Sequence, residues 1–307
     1  MDVFLFLVGL IAATLRVATP LILGTLGELF SERSGVLNLG IEGTMLLGAY
    51  VGFAVAYQSG DNLWLGLLAA VVAGILSGLL MALLAVWLGV NQHVSGLGIT
   101  LLWTGVSLFG YRLVFGETSG VLPSVPTFEK FTGLSNVPLI GVIFEQYALT
   151  YIAIALVPVV WWVVFRSPLG LRVRAVGENP EAVDAAGLSV YWIRTAALAI
   201  GGAFMGASGA FISLAQVGSV THQIINGRGW VCIALIIFAN WRPRLVLVGA
   251  LIFGGVEALQ LRFQTLGFDL PYELFLALPY VVTVIALTIA GRNVNVPSAL
   301  LKPYRRE

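Results

Sequence analysis

The chain has 307 residues, of which 59% are hydrophobic and only 10% charged, with a formal net charge of +1. Ordinary soluble domains carry about 25% charged residues, so this composition excludes one, and the near-neutral charge argues against nucleic acid as a partner. A single cysteine, Cys232, leaves nothing with which to form an internal disulfide.

Apolar runs of about 20 residues recur along the chain, the length that crosses a bilayer as a helix. A spanning backbone must satisfy its own hydrogen bonds. The pattern therefore predicts an all-α polytopic membrane protein, a single domain over 1–307 with about nine transmembrane helices (eight to ten). The expected spans are 3–24, 36–57, 63–89, 92–115, 147–165, 195–215, 229–240, 245–266 and 273–290. Met1-Asp2-Val3 lacks the positive region of a secretory signal, so the first run reads as a retained span. In the second span Gly40, Thr44, Gly48 and Gly52 recur every fourth residue, and in the third Gly66, Ala70, Gly74, Gly78 and Ala82 do so. Such spacing lets helix backbones approach closely and predicts a compact bundle. The seventh run, 229–240, reaches only about 18 Å as helix and reads as a half-helix.

Lys and Arg set the expected orientation. With the N-terminus outside and the C-terminus cytoplasmic, the inner segments hold Arg33, Arg166, Arg172, Arg174, Arg194, Arg242, Arg244, Arg292, Lys302, Arg305 and Arg306, whereas the outer ones hold Lys130, Arg228 and Arg262. The positive-inside bias thus places the loop 166–194 in the cytoplasm.

Within that loop lies RAVGENPEAVDAAGLSV, residues 174–190. Asn179 suits a helix cap, Pro180 the first helical position, Glu181 the positive end and Gly187 the stop, which predicts a short helix near 179–187. Ala182, Val183, Ala185 and Ala186 give it a small apolar side, with Glu181 and Asp184 polar. Two turns are not stable alone, so this helix needs a partner surface: either the rest of the chain or a separate protein.

AVGENPEAVDAAGLSV resembles the cytoplasmic coupling loop of permeases of bacterial ABC importers of the branched-chain amino acid, ribose and nucleoside class. GELFSERSGVLNLGIEGTMLLGAY, residues 27–50, is similar to the signature early segment of the nucleoside and simple-sugar permeases. INGRGWVCIALIIFANWRPRLVLVGALIFGGVEALQ, residues 225–260, resembles their Gly-Arg-Gly-aromatic segment and Gly-rich span. Cys232 and the pair Ala239-Asn240 depart from the family pattern, which more often has a small apolar residue and a glycine there. The resemblance implies an importer subunit in the bacterial cytoplasmic (inner) membrane, with nucleosides or related purine compounds as cargo. A simple-sugar permease is the alternative.

The same resemblance implies a cytoplasmic ATP-binding subunit that docks on residues 177–188. The coupling residues would be Gly177, Glu178, Asn179, Glu181, Ala182, Asp184, Ala186 and Gly187. It also implies an extracytoplasmic substrate-binding lipoprotein and a second permease chain, in this branch commonly a different one, forming a heterodimer. No cofactor is expected on this chain; ATP and magnesium belong to the partner ATPase. Independently, a P-loop needs Gly-Lys-Ser/Thr, and the lysines, Lys130 in FEKF and Lys302 in LLKPY, lie in no such motif. A zinc site is equally unsupported, because His93, His222 and Cys232 lack ligand spacing.

Polar residues within the spans are the candidates for a substrate pathway. Glu42 follows Asn38 by four residues, so the two are expected on one face of the second helix. Glu42 either lines the pathway or caps or bonds a neighbouring helix, with Arg16 or Arg112 as candidate partners. An ion-coupled transporter would use it as a proton site, but that reading leaves the capped helix without a role. Asn91, Gln92 and Ser95 open the fourth span with groups able to replace a solute's lost water bonds, or simply start a helix. Trp103, in mid-span, could stack on a base or sugar ring, or merely pack. Trp64, Trp87, Trp161, Trp162 and Trp241 lie near span ends and are expected at headgroup level. Arg228 in GRG precedes the half-helix, whose positive end is expected either to point inward or to lie at the outer surface.

Overall fold

In the computed structural model the described residues are 3–116, 123–131, 133, 141–221, 223–265, 277, 281–282, 284–285, 288 and 294–305. They form helices α1 (Val3–Arg33), α2 (Ile41–Gln58), α3 (Leu63–Ala82), α4 (Gln92–Phe115), α5 (Gly141–Phe144), α6 (Ala148–Arg166), α7 (Pro168–Glu178), α8 (Pro180–Ala185), α9 (Val190–Phe211), α10 (Arg228–Phe238) and α11 (Pro243–Thr265). π-helical turns extend α3 through Leu83–Trp87 and α9 through Ile212–Val217. The all-helical expectation holds: among the described residues the sole β feature is an isolated bridge between Lys130 and Tyr147.

Among the described residues six helices are long and apolar enough to cross a membrane: α1, α3, α4, α6, α9 and α11. Of the other expected spans, α10 is the anticipated half-helix, 11 residues or about 16 Å long. The span expected at 273–290 falls largely outside the described residues. The remaining one, α2, carries Glu42 and Gln58 within its 18 residues and has most of its side chains buried. It packs against α3, α9, α4 and α10, so neighbouring protein covers most of the surface that lipid would otherwise meet.

Glycines make this packing possible. A Cβ at Gly74 would press on the carbonyl oxygen of Gly202, and one at Gly202 on that of Gly74. Gly78 meets the carbonyl of Leu198, Gly48 that of Gly206 and Gly209 that of Met45. The fourfold spacing in α2 and α3 thus works as expected, with α9 supplying matching small residues. Where backbones come this close, dispersion acts over a long contact, the main attraction left between helices in lipid.

Three boundaries differ from the sequence reading. α1 does not stop near residue 24 but runs to Arg33, burying Glu28 and Glu32. α2 begins at Ile41 rather than 36, after a non-helical turn over 34–40. α9 begins at Val190, so Arg194, expected in a loop, is a buried helical residue at 2% exposure. Its Nε donates to the Ser34 carbonyl at 3.0 Å and its Nη1 to the Lys302 carbonyl at 3.4 Å. Replacing Arg194 with methionine strands both carbonyls, at about 1.5–3 kcal/mol for each charge-assisted bond. A clear fall in the Tm of the detergent-purified protein is expected; an unchanged Tm would refute the brace.

The C-terminal segment 294–305 crosses the end of the bundle that carries α7 and α8. Asn295 N–H donates to Asn240 Oδ1 at 3.0 Å, Ala299 N–H to the Gly177 carbonyl at 2.8 Å, and Ser298 Oγ to Glu178 Oε2 at 2.9 Å. Further on, Tyr304 packs edge-on to Tyr191, ring centres 5.8 Å apart. The segment acts as a strap across α7, the 34–40 turn and the start of α9.

Candidate functional site

Two polar regions hold the predicted site residues, and the first is the elbow of α7 and α8. Ser167 caps α7, accepting from Gly170 N–H at 3.2 Å. Asn179 Oδ1 caps α8, accepting from Ala182 N–H at 3.0 Å, with Pro180 in the first turn. Gly187 has φ +79°, the left-handed conformation that ends a helix and favours glycine. The sequence reading of this helix is therefore correct in its caps, but it missed α7, whose amphipathic turns lie just before.

α8 has two faces. Val183 and Pro180 are buried, Val183 in a cluster with Val176 and Val190, so the chain itself supplies one partner surface. Glu181, Ala182, Ala185, Ala186 and Gly187 are exposed, which leaves a small-residue face uncovered. Asn179 is exposed beside them, Asp184 half-buried, and Glu178 turned towards Ser298 of the strap. Gly177 is apart from the rest: it is buried, and its Cα lies against the Arg33 carbonyl at the end of α1. Its lack of a side chain thus serves contact within the chain and joins the arm to α1.

The second region surrounds the 34–40 turn and the start of α2. Glu42 Oε1 accepts from Gly227 N–H at 2.8 Å and Oε2 from Gly229 N–H at 2.7 Å. The carboxylate therefore caps the half-helix α10, placed where the helix dipole is positive. Of the readings left open by the sequence, this is the cap on a neighbouring helix; Arg16 and Arg112 are not its hydrogen-bond partners. Arg228 turns to α11 instead, its Nη2 2.6 Å from Glu257 Oε1. Gly229 allows the approach, since a Cβ there would lie 2.6 Å from the Glu42 Cα.

Asn38 and Glu42 do not share a helix face, because α2 starts only at Ile41. Asn38 is buried in the turn, its Oδ1 accepting from Gly40 N–H at 3.0 Å and its own N–H donating to Glu28 Oε1 at 2.9 Å. Gln92, also buried, holds the same turn from α4 by accepting from Leu37 N–H at 2.8 Å. Asn91 caps α4, accepting from His93 and Val94 N–H groups, and Ser95 Oγ bonds back to the Asn91 carbonyl. Asn91 and Gln92 line a cavity of about 260 Å³ closed on one side by Leu301 and Pro303 of the strap. Trp103 lies apart from these residues. Its Nε1 donates to Ser77 Oγ at 2.8 Å, and Ser77 bonds Thr44 at 2.6 Å, linking α4, α3 and α2.

The sequence reading missed Glu28 and Glu32. Both are buried one turn apart on α1; Glu28 holds the 34–40 turn, and Glu32 Oε2 accepts from the Trp241 indole at 2.6 Å. Trp241, expected at the headgroups, is instead 1% exposed at the end of α10, where its carbonyl also accepts from Arg33. The available signal was the four-residue spacing of two acids continuing an apolar run.

Replacing Glu42 with alanine leaves two N–H donors unmet, at about 1–3 kcal/mol each. Lower stability and lost function are expected, whereas Glu42→Gln keeps one acceptor oxygen and is the milder change. Equal Tm values for wild type and the alanine variant would refute the cap.

Comparison with known proteins bears on what this arrangement does. The family described as "Branched-chain amino acid transport system / permease component" matches residues 10–287. TsgC13 of Haloferax volcanii, provisionally named a glucose ABC transporter permease protein, is 41% identical, the match covering 98% of this chain and 99% of the relative. The guanosine ABC transporter permease protein NupQ of Bacillus subtilis is 37% identical, over 99% and 98%. The nucleoside ABC transporter permease protein NupC of Lactococcus lactis is 32% identical, over 94% of each chain. No solved structure matches the chain. With a multi-pass helical bundle, a capped helix pair at one end and a family match over most of its length, the chain belongs to the branched-chain amino acid transport system permease family and is a permease subunit of an ABC transporter.

Proposed function

We propose that this permease carries nucleosides or related purine compounds into the cytoplasm. The observation that carries the reading is the end-to-end similarity to NupQ and NupC, named for guanosine and nucleoside transport. A sugar is the second reading, favoured by the similarity to TsgC13.

In the proposed cycle the α7–α8 end faces the cytoplasm and the N-terminus lies outside. The grouping of Arg33, Arg174 and Arg242 near one another at that end supports this orientation through the positive-inside bias. A cytoplasmic ATPase, holding ATP and magnesium, docks on the exposed face of α8 around Glu181, Ala182, Ala186 and Gly187, and hydrolysis takes place in that subunit. An extracytoplasmic lipoprotein delivers the substrate, and a second, different permease chain completes the pathway.

The loop 166–194 is read as the coupling unit of a single permease domain. Motion of α8 reaches α1 through the contact of Gly177 with the Arg33 carbonyl, and reaches the start of α9 through the strap. Both routes end on the 34–40 turn, which Glu28, Asn38 and Gln92 hold in place; this is a rigid-body switch of the kind known from domain motions. Glu42 and Arg228 set the position of α10 beside that turn, while Asn91, beside the cavity at the start of α4, is read as a contact for the moving solute, and Ser95 and Trp103 hold α4 in place through their bonds to the Asn91 carbonyl and Ser77.

The test is uptake of labelled inosine and labelled glucose by cells with and without this gene, under ATP depletion and, separately, under proton uncoupling with ATP maintained. Gene-dependent inosine uptake that survives uncoupling and stops without ATP is the expected result. Glucose uptake alone would replace the nucleoside reading with the sugar one, and uptake abolished by uncoupling would overturn ATP coupling.

A further inference from the structure

A groove of about 500 Å³ separates the first turns of α7 from the first turns of α9. That is within the roughly 300–1,000 Å³ of a small-ligand site. Its walls include Leu169, Arg172, Trp192, Ala196 and Ile200, and its floor begins at Ser167. Ser167 directly follows α6, one of the helices long enough to cross a membrane, so the groove lies where that span meets the bilayer surface. The Ser167 hydroxyl is already used, donating to the Val163 carbonyl at 2.6 Å. The rest of the lining is almost wholly apolar, with Arg172 as its charge.

Around the mouth the side chains suit a lipid boundary. Trp192 is 65% exposed and Leu171 60%, large apolar groups of the kind that amphipathic interfacial helices present to the acyl region. Arg172, in the groove wall, is exposed and has no ion-pair partner among the described residues. Arg174, by contrast, is held in place, its Nε bonded to the Val164 carbonyl at 3.0 Å and its guanidinium over the Phe165 ring. An apolar cleft at the membrane surface with an uncommitted guanidinium group in its wall is complementary to an amphiphile with an anionic head.

We propose that this groove binds an anionic glycerophospholipid, with an acyl chain between α7 and α9 and its phosphate on Arg172. The lipid wedges the arm that carries α8 against α9, so its occupancy sets the resting position of the coupling helix. The site is separate from the docking face of α8 and does not depend on the identity of the cargo.

The experiment uses the complete transporter, purified and placed in nanodiscs of equal parts dioleoyl phosphatidylglycerol and dioleoyl phosphatidylcholine, then re-extracted, with retained lipid measured by mass spectrometry. Wild type is expected to retain phosphatidylglycerol over phosphatidylcholine by about fivefold, the effect of one basic residue near a lipid phosphate. Arg172→Gln should bring that ratio towards one, and Ala196→Trp, which fills the groove, should lose the retained lipid of both kinds. Equal retention by wild type and Ala196→Trp, or no preference in wild type, would overturn the proposal. So would a photocrosslinker at position 196 that captures the ATPase or the second permease rather than lipid. Retention is read without transport, so its outcome is independent of the uptake test.

Discussion

Replacing Ala182 with arginine is expected to abolish uptake while leaving the protein at normal abundance in the membrane. Ala182 is exposed on the open face of α8, and its backbone rather than its side chain serves the fold, the N–H through the Asn179 cap and the carbonyl by accepting from Ala186 N–H at 3.1 Å. Arginine is a good helix former, costing a few tenths of a kcal/mol against alanine at most, so α8 should persist. A partner gripping that face would meet a long cationic chain where it now meets a methyl group. Disrupting a central contact of this kind costs at least about 2 kcal/mol of binding, roughly a 30-fold loss of affinity. The measurement pairs labelled-solute uptake with immunoblotting of membranes and co-purification of the ATPase. Normal uptake by Ala182→Arg would remove the docking role from α8. Gly187→Arg is expected to abolish uptake too, but it is the less clean test. At φ +79° any side chain is strained by about 1–2 kcal/mol, so its loss of function mixes distortion of the helix end with blocked docking.

Replacing Gly74 with leucine is the second large expected effect, and it acts on assembly rather than coupling. The Gly74 and Gly202 backbones face each other so closely that a Cβ on either presses against a carbonyl oxygen of the other. Backbone cannot yield as a side-chain tip can, so α3 and α9 must separate, and the neighbouring contacts of Gly78 with Leu198 and of Gly206 with Ala70 open with them. The cost should exceed the roughly 1–3 kcal/mol of ordinary overpacking, and little folded protein should reach the membrane. Gly98→Leu and Gly105→Leu are the controls. These α4 glycines have no neighbouring atom within 4 Å of an added Cβ, so both variants should accumulate. Abundance and fluorescence-detected size exclusion read the difference, and a well-folded Gly74→Leu protein would refute the close crossing.

How much of this was legible beforehand differs from helix to helix. The fourth span, expected at 92–115, has the limits of α4, because the polar residues Asn91 and Gln92 mark its start within an otherwise apolar stretch. The capped helix near 179–187 was equally readable, since Asn179, Pro180 and Gly187 act through local backbone chemistry. The reading failed where polar side chains sit inside the bundle. Glu28 and Glu32 fall beyond the expected end of the first span at residue 24, and Arg194 just before the expected start at 195, because charge normally marks the edge of a membrane helix. Each is buried here because a distant group meets it: the Asn38 N–H, the Trp241 indole, and the Ser34 and Lys302 carbonyls.

The same division holds for the candidate site. The caps of α8 are readable from its residues, whereas its docking residues follow from the family resemblance, and Val183, grouped there with Ala182, Ala185 and Ala186, is buried against Val176 and Val190; Glu42 stands out as a costly group in a membrane. That Glu42 caps α10, and that Asn38 and Gln92 brace a turn instead of facing a solute, depends on partners 185 residues away in one case and 55 in the other. By itself the sequence determined the membrane character, most of the helices, the caps of α8 and the close-packing glycines, all of which follow from composition and spacings of a few residues. Which polar groups are buried, what satisfies them, and how α7 and α8 are tied to α1 and α9 emerge only from the folded chain. A buried polar group is stable only beside its hydrogen-bond partner, and here those partners come from remote parts of the chain.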